Sequence, residues 1–272
     1  MPEIPDLEAI RYFLEPRLRG NSVRSAEVRL PWLVRTGADG LATLVGHEFV
    51  TVHRHGKFLL FATDDDRLLV VNPMLTGRFQ WAEPPERKRP MTALVLAFED
   101  EHELRYSDQR RMGRWYLVPT AELESVPQMA DLGPDALAVD EETFVARLRR
   151  HPGQIKATLT NQKFIAGIGN AYSDEILWEA GLHPHRRRAT MTDEDLRRLY
   201  HAMRSTLEWG IPILEAEVAD RLYQRNEEWR DHLRVHRKAD QPCPKCGTPI
   251  RSQIRGGSET NYCLHCQPLD LG

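Results

Sequence analysis

Four cysteines in two Cys-x-x-Cys pairs, Cys243/Cys246 and Cys263/Cys266, with 16 residues between the pairs, carry the strongest chemical signal in the chain. Two such knuckles can bring four thiolates into a tetrahedron around Zn²⁺, the closed coordination of a structural site, and one structural zinc ion is expected here. Two disulfides are disfavoured in a reducing cytosol, and a thioredoxin-like redox pair would need a βαβ context that the flanking residues lack. His265 also has ligand chemistry, but four cysteines already complete the set. Between the knuckles stand Arg251, Arg255 and Gly256-Gly257-Ser258. They suit a two-stranded finger that offers cations and backbone N–H groups to phosphate, or else an ordinary solvated charged loop.

The second constellation is Gln162–Tyr172, centred on Gly167-Ile168-Gly169-Asn170. A dinucleotide-binding reading fails, because the third glycine and the preceding apolar strand are missing. A tight turn between helices fits better. Its glycines let backbone approach a phosphate, and Asn170 at the next helix start can donate to that phosphate alongside the helix dipole.

The elements that must position these groups follow from periodicity. Leu7, Ile10, Phe13, Leu14 and Leu18 recur at helical spacing between Pro5 and Gly20, with Pro16 expected to stop or kink the helix near Glu15. From Ser22 to Val118 short β-prone runs follow one another: 49–53, 58–62, 68–71, 93–98 and 103–106. Turns at His55-Gly56 and Asp100-Glu101-His102 join antiparallel neighbours, which suggests a sandwich or flattened barrel. Pro119, Pro127, Gly133 and Pro134 mark a linker over 119–135. Helices are expected at 140–150, 155–161, 171–180 and 193–209, with a weaker stretch at 214–225. Thr192 and Asp195 form a capping-box variant before the fourth. The fold class is α+β multidomain: residues 1–118 a helix plus β-sandwich, 136–238 a helical domain, 239–272 a zinc finger.

The composition, 41% hydrophobic and 28% charged with a net charge of −3, describes a soluble globular protein without a chain-wide basic footprint. No apolar run reaches the length of a membrane span, and the N-terminus lacks signal-peptide features. P-loop, metalloprotease-helix and serine-elbow motifs are absent from the sequence, which gives no basis for nucleotide hydrolysis or peptide cleavage.

Five segments in order resemble the formamidopyrimidine-DNA glycosylase (Fpg/Nei) family, on its Fpg branch. They are Met1-Pro2-Glu3-Ile4-Pro5-Asp6, His55-Gly56-Lys57-Phe58-Leu59-Leu60, Asp108–Gly113, Ile155–Gln162 running into Gly167–Leu177, and the terminal zinc finger. The resemblance implies a bifunctional DNA glycosylase and abasic-site lyase acting on oxidised or ring-opened bases, with a β-sandwich catalytic domain, a helix-two-turn-helix domain and a zinc finger. It implies that Pro2, freed by removal of Met1, forms a Schiff base with the sugar. Glu3 would move protons for ring opening and elimination, with Asp6 in support. Lys57 would hold the phosphate beside the lesion, and Lys156 and Asn170 would contact DNA. Leu75, or Met74 in a shifted register, with Arg110 and Met112 would fill the gap left by the extruded nucleotide. Taken alone, Lys57 reads as a solvated lysine, and Leu75 and Met112 as core. The partner implied is double-stranded DNA with a damaged base or abasic site. A monomer, no membrane, and a cytoplasmic, nucleoid-associated location complete the expectation.

Two segments depart from the family. Ser258 stands where the family carries its phosphate-gripping arginine, with Arg255 three residues earlier as a substitute. Ile211–Asp220 replaces the family's small-residue-rich base-binding region. The alternative function is therefore a non-catalytic or lyase-only damaged-DNA-binding protein on the same fold. A zinc-ribbon module unrelated to DNA is a third reading, and would show no salt-dependent duplex binding. Arg186-Arg187-Arg188 and the Arg234–Lys238 segment could add positive charge to a DNA surface, or be solvated faces.

Overall fold

A computed structural model describes residues 1–222 and 228–269 of the chain. They form two compact units, one of Met1–Ala130 with Ile211–Trp229, the other of Asp131–Gly210 with the residues from Arg230 onward.

The first unit opens on α1 (Ile4–Leu18), whose start is set by a capping box between Glu3 and Asp6. The helix does not stop near Glu15 but runs through Pro16 to Leu18. Pro16 deprives the Tyr12 carbonyl of its usual donor. Burial of Phe13, Leu14 and Leu18 in the core keeps the last turn in place, and Arg17 Nη1 donates to the Phe13 carbonyl at 2.8 Å.

Then come β1 (Val23–Val28), α2 (Ala38–Ala42), β2 (Phe49–His55), β3 (Phe58–Thr63), β4 (Arg67–Asn72), β5 (Gly77–Ala82), β6 (Thr92–Phe98), β7 (Glu103–Asp108) and β8 (Arg114–Pro119). The strands make two antiparallel four-stranded sheets, β1-β6-β7-β5 and β2-β3-β4-β8. Aromatic side chains fill the core, with the Tyr106 ring edge-on to Phe79 at 5.3 Å and to Trp115 at 5.1 Å. Register places three functional segments at one end of the second sheet. Leu59 pairs with Val71 and Asn72 with Arg114, so the β2–β3 turn, the end of β4 and the start of β8 lie side by side.

The second unit contains α3 (Glu141–Arg149), α4 (Ile155–Thr160), α5 (Asn170–Glu179), the start of α6 (Asp193–Val218), and the hairpin of β9 (Arg251–Arg255) and β10 (Ser258–Tyr262). The capping box before α6 is present: Thr192 N–H donates to Asp195 at 2.9 Å and Asp195 N–H to the Thr192 hydroxyl at 3.2 Å. Rather than ending at Trp209, α6 passes Pro212 and continues to Val218. Leu214 and Val218, with Leu222 and Trp229, are buried in the first unit's core, and that packing carries the helix past the proline. Residues 223–225 of the weaker expected helix lie outside the described residues.

The compact units divide at 130/131, 210/211 and 229/230. The finger shares a core with α5, in which Trp178, Val235 and Ile250 pack with Cys243 and Cys263. Among the described residues no helix is long and apolar enough to cross a membrane.

Candidate functional site

In the first unit, Pro2 and Glu3 are buried at the start of α1. The Asp6 carboxylate accepts from the Glu3 N–H at 2.7 Å, which fixes the backbone beside Pro2. Lys57, at the β2–β3 turn, is 6% exposed. Burial pulls its ammonium below the ordinary lysine range, and the carboxylates of Glu3 and Asp6 act in the opposite sense. Lys57, Glu3 and Asp6 are therefore one electrostatic cluster, with Pro2 buried next to Glu3 in the chain. A further ion pair holds it together. Arg54 donates to Glu8 of α1 at 2.7 Å and to the Gly56 carbonyl at 3.2 Å, which ties the lysine turn to the helix. Neither Arg54 nor Glu8 stands out in the sequence, because their separation of 46 residues closes only in the fold.

The two gap-filling segments also meet in this unit. Leu75 is half-buried, while Arg110 and Met112 are exposed. Asp108, fully buried, accepts from the Thr76 hydroxyl at 2.5 Å, from Arg110 N–H at 3.2 Å and from Gly113 N–H at 2.6 Å. One carboxylate thus fixes both loops. Tyr106 closes them from beneath. Its hydroxyl donates to the Pro73 carbonyl at 3.3 Å and lies 2.1 Å from where a Cβ on either Gly77 or Gly113 would sit, so both positions need glycine. Met74 has a left-handed backbone, φ +53°, and its N–H is held by Asn72 Oδ1 at 3.0 Å. The Asp108 segment is legible in the sequence as a motif, but its role as a clamp depends on Thr76, 32 residues away.

In the second unit, Gln162 shapes the glycine turn, accepting from Gly167 N–H at 3.0 Å and donating to the Ile168 carbonyl at 2.8 Å. Gly167 has φ +103°, open only to glycine at low cost. Asn170 is the first residue of α5, and its Nδ2 donates to the Glu259 carbonyl of β10 at 2.8 Å. Ser258 Oγ donates to Asn170 Oδ1 at 3.3 Å. Asn170 and the departure at Ser258 are thus adjacent. Arg255 pairs with Ser258 in the hairpin backbone, and its side chain lies outside what is described.

The Lys156 ammonium is engaged within the unit. Its Nζ donates to Asp174 at 2.6 Å, Thr260 Oγ1 at 2.9 Å and the Glu259 carbonyl at 3.3 Å, which occupies all three N–H donors inside the unit. Asp174 also accepts from Asn261 N–H at 3.1 Å and pairs with His236 Nδ1 at 2.7 Å. Its neighbour Glu175 accepts from the N–H groups of Arg234, Val235 and His236, and burial still raises its carboxyl above the usual range. The arginine triplet is mostly internal too. Arg186 pairs with Asp195 at 3.0 Å and Arg188 donates to the Arg149 carbonyl at 3.2 Å, leaving Arg187 as the exposed member.

The four cysteine Sγ atoms lie within 4.8 Å of one another, with Cys243–Cys266 at 3.9 Å and Cys246–Cys263 at 3.5 Å. Tetrahedral zinc with bonds of ~2.3 Å sets its sulfurs about 3.8 Å apart, so the residues fit the ion. Trp178 Nε1 donates to Cys243 Sγ at 3.3 Å, orienting that ligand from α5.

Sequence-family comparison matches residues 1–115 to the formamidopyrimidine-DNA glycosylase N-terminal domain, 132–220 to the formamidopyrimidine-DNA glycosylase H2TH domain, and 240–269 to the zinc finger found in FPG and IleRS. The formamidopyrimidine-DNA glycosylase of Pelotomaculum thermopropionicum is 33% identical over 99% of this chain and 100% of that relative. The chain belongs to the formamidopyrimidine-DNA glycosylase family. The Moorella thermoacetica glycosylase is 35% identical over 92% of this chain and 93% of its own length. Among solved structures, Lactococcus lactis Fpg (MutM) in complex with DNA containing N7-benzyl-Fapy-dG superimposes with a TM-score of 0.89 at 28% identity, covering 98% of this chain and 100% of that one. The same enzyme bound non-covalently to DNA containing an AP site gives 0.88 at 28% identity, covering 98% and 99%. The family's finger type and the four clustered thiols together assign one structural zinc ion to this glycosylase.

Proposed function

We propose that this protein excises damaged bases from duplex DNA and cuts the strand at the resulting abasic site, with the amine of Pro2 as nucleophile. The observation that carries the reading is the burial of Pro2 and Glu3 at the start of α1 together with that of Lys57 at the β2–β3 turn, with Asp6 holding the Glu3 N–H. Family membership and relatives solved with Fapy-dG and abasic-site DNA support the reaction class and substrate.

Removal of Met1 frees a secondary amine. The Pro2 nitrogen attacks C1′ of the damaged nucleotide, a C–N bond forms, and the base leaves with the glycosidic electron pair and takes up a proton. Glu3 delivers a proton to the ring oxygen, the C1′–O4′ bond opens, and an iminium remains. The iminium acidifies the C2′ hydrogen, whose loss expels the 3′ phosphate; loss of the C4′ hydrogen then expels the 5′ phosphate. The Lys57 charge holds the phosphate beside the lesion, and Asp6 fixes the geometry of Glu3.

Extrusion of the nucleotide leaves a gap that Leu75, Arg110 and Met112 fill, on loops held by Asp108. Asn170 keeps its second amide N–H for a phosphate at the start of α5, and the Ser258 hydroxyl holds Asn170 Oδ1. The zinc ion holds the hairpin that carries Ser258. The protein works where its substrate lies, in the cytoplasm on nucleoid DNA, and thiols committed to zinc suit that reducing compartment.

Borohydride trapping tests the reading. Protein lacking Met1 should form a covalent adduct with an abasic-site duplex, localised to Pro2 by mass spectrometry. Correctly processed protein that binds the duplex but yields no adduct would reduce the function to damage recognition without catalysis.

A further inference from the structure

A pocket of about 480 Å³ runs along β8 in the first unit, lined by Arg35, Thr36, Arg114, Tyr116 and Ser125 over a floor that includes Val126. Its composition is that of an anion site. Two guanidinium groups and three hydroxyls face a space with no carboxylate in its lining. Neither the Arg35 nor the Arg114 guanidinium has an ion-pair or hydrogen-bond partner among the described residues. Elsewhere in this unit arginines such as Arg54 and Arg105 are fully engaged with carboxylates and carbonyls. The segment bearing Arg35 is held against the strand: Arg35 N–H donates to the Trp115 carbonyl at 2.8 Å, and Leu117 N–H donates to Thr36 Oγ1 at 3.0 Å. The two cations are therefore on fixed backbone.

The position of the pocket names its ligand. Arg114 follows directly on the loop of Arg110 and Met112, and pairs with Asn72 at the sheet end that also carries the Lys57 turn. Lys57 sits between β2 and β3, while β8 is the far edge of the same sheet, two to three strands away. At ~4.8 Å per strand that is about 10–14 Å. Trp32, 48% exposed with Arg111 stacked 5.7 Å above its ring, extends the surface on the β8 side. Lys57 addresses the damaged strand. Arg110 and Met112 face the orphaned base, so the surface continuous with them meets the other strand.

We infer that Arg35 and Arg114 form a phosphate-binding subsite for the DNA strand opposite the lesion, taking a sugar-phosphate unit into the β8 pocket. The inference rests on the proposed action on duplex DNA. It concerns binding only, so it can be measured on a stable abasic analogue without any chemistry.

The test compares the parent protein with R35Q/R114Q on such a duplex, titrating affinity against salt. Each phosphate neutralised contributes about 0.9 to the slope of log affinity against log salt. The double variant should lower the slope by about 0.9, with an unchanged thermal midpoint, and R35K/R114K should keep the slope. Methylphosphonate linkages opposite the lesion should weaken the parent but not R35Q/R114Q. An unchanged slope overturns the inference, as does non-additivity that appears only when the damaged strand is neutralised. Saturable binding of inorganic phosphate without DNA, abolished in R35Q/R114Q, would assign the pocket to a free anion and overturn it equally. Failure of borohydride trapping in a protein that passes these binding tests would count against the catalytic reading alone.

Discussion

Lys156→Met separates a positioning lysine from a DNA-binding one. In the parent the ammonium is 11% exposed, and its partner Asp174 is fully buried at 2.6 Å. Deleting one member of a buried pair leaves an uncompensated charge and costs ~3–5 kcal/mol. Asp174 keeps the Asn261 N–H and His236, which puts the expected loss at the lower end, about 3 kcal/mol. Urea unfolding of the zinc-loaded protein should show that loss in the transition of the second unit. The salt slope of duplex binding, measured where the variant is folded, should match the parent, since Lys156 neutralises no phosphate. K156M/D174N should recover at least half of the lost stability, because removing both charges removes the uncompensated one. Unchanged stability together with a slope lower by about 0.9 would refute the reasoning and return Lys156 to the DNA surface.

Burial, with His185 alongside, pushes the His183 imidazole from 6.5 down to about 4. The folded state favours neutral His183, so its contribution is complete above pH 6.5 and is lost as pH falls toward 4, by at most about 3 kcal/mol; H183F should flatten that acid limb in a plot of thermal midpoint against pH. Lys57 titrates below the ordinary lysine value of 10.5, so duplex affinity at fixed ionic strength should begin to fall at a pH where an exposed lysine is still fully charged, and K57R should hold its affinity through that range. A profile flat to pH 10.5 would contradict the burial argument. Asp108→Asn places an amide donor against converging donors; stability should drop by ~2 kcal/mol and the preference for abasic over intact duplex by roughly tenfold, read by competition binding. Zinc chelation should unfold the hairpin, deprive Asn170 and Lys156 of their β10 partners, and abolish tight duplex binding until zinc is restored.

Local features were the most legible in the sequence. The cysteine knuckles, the capping box at Thr192 and the glycine turn before Asn170 act over a few residues, and their spacing alone carries the geometry. Pro16 suggests a stop near Glu15 that α1 does not make, because a proline's cost is local while the burial that outweighs it, through Leu18 here and Leu214 in α6, comes from a core assembled later. The Lys156 network is illegible for a similar reason. Its partners stand 18 and 104 residues along the chain, and a lysine inside a DNA-contact motif looks the same whether it faces phosphate or Asp174. Asp108 and Arg54 are illegible as clamps, since each joins segments that only the tertiary fold brings together.

The Asp108 clamp has a kinetic consequence. Loops that order only on contact with DNA would make every encounter wait for the protein to assemble its probe. Here Thr76, Arg110 and Gly113 are already joined to one carboxylate, with Tyr106 wedged beneath both loops. The entropy of ordering was lost at folding, and under the proposed function the probe that meets a duplex is stiff. Interrogation then runs at the pace of the nucleic acid, set by how readily each base pair yields, and a weakened pair declares itself by yielding first.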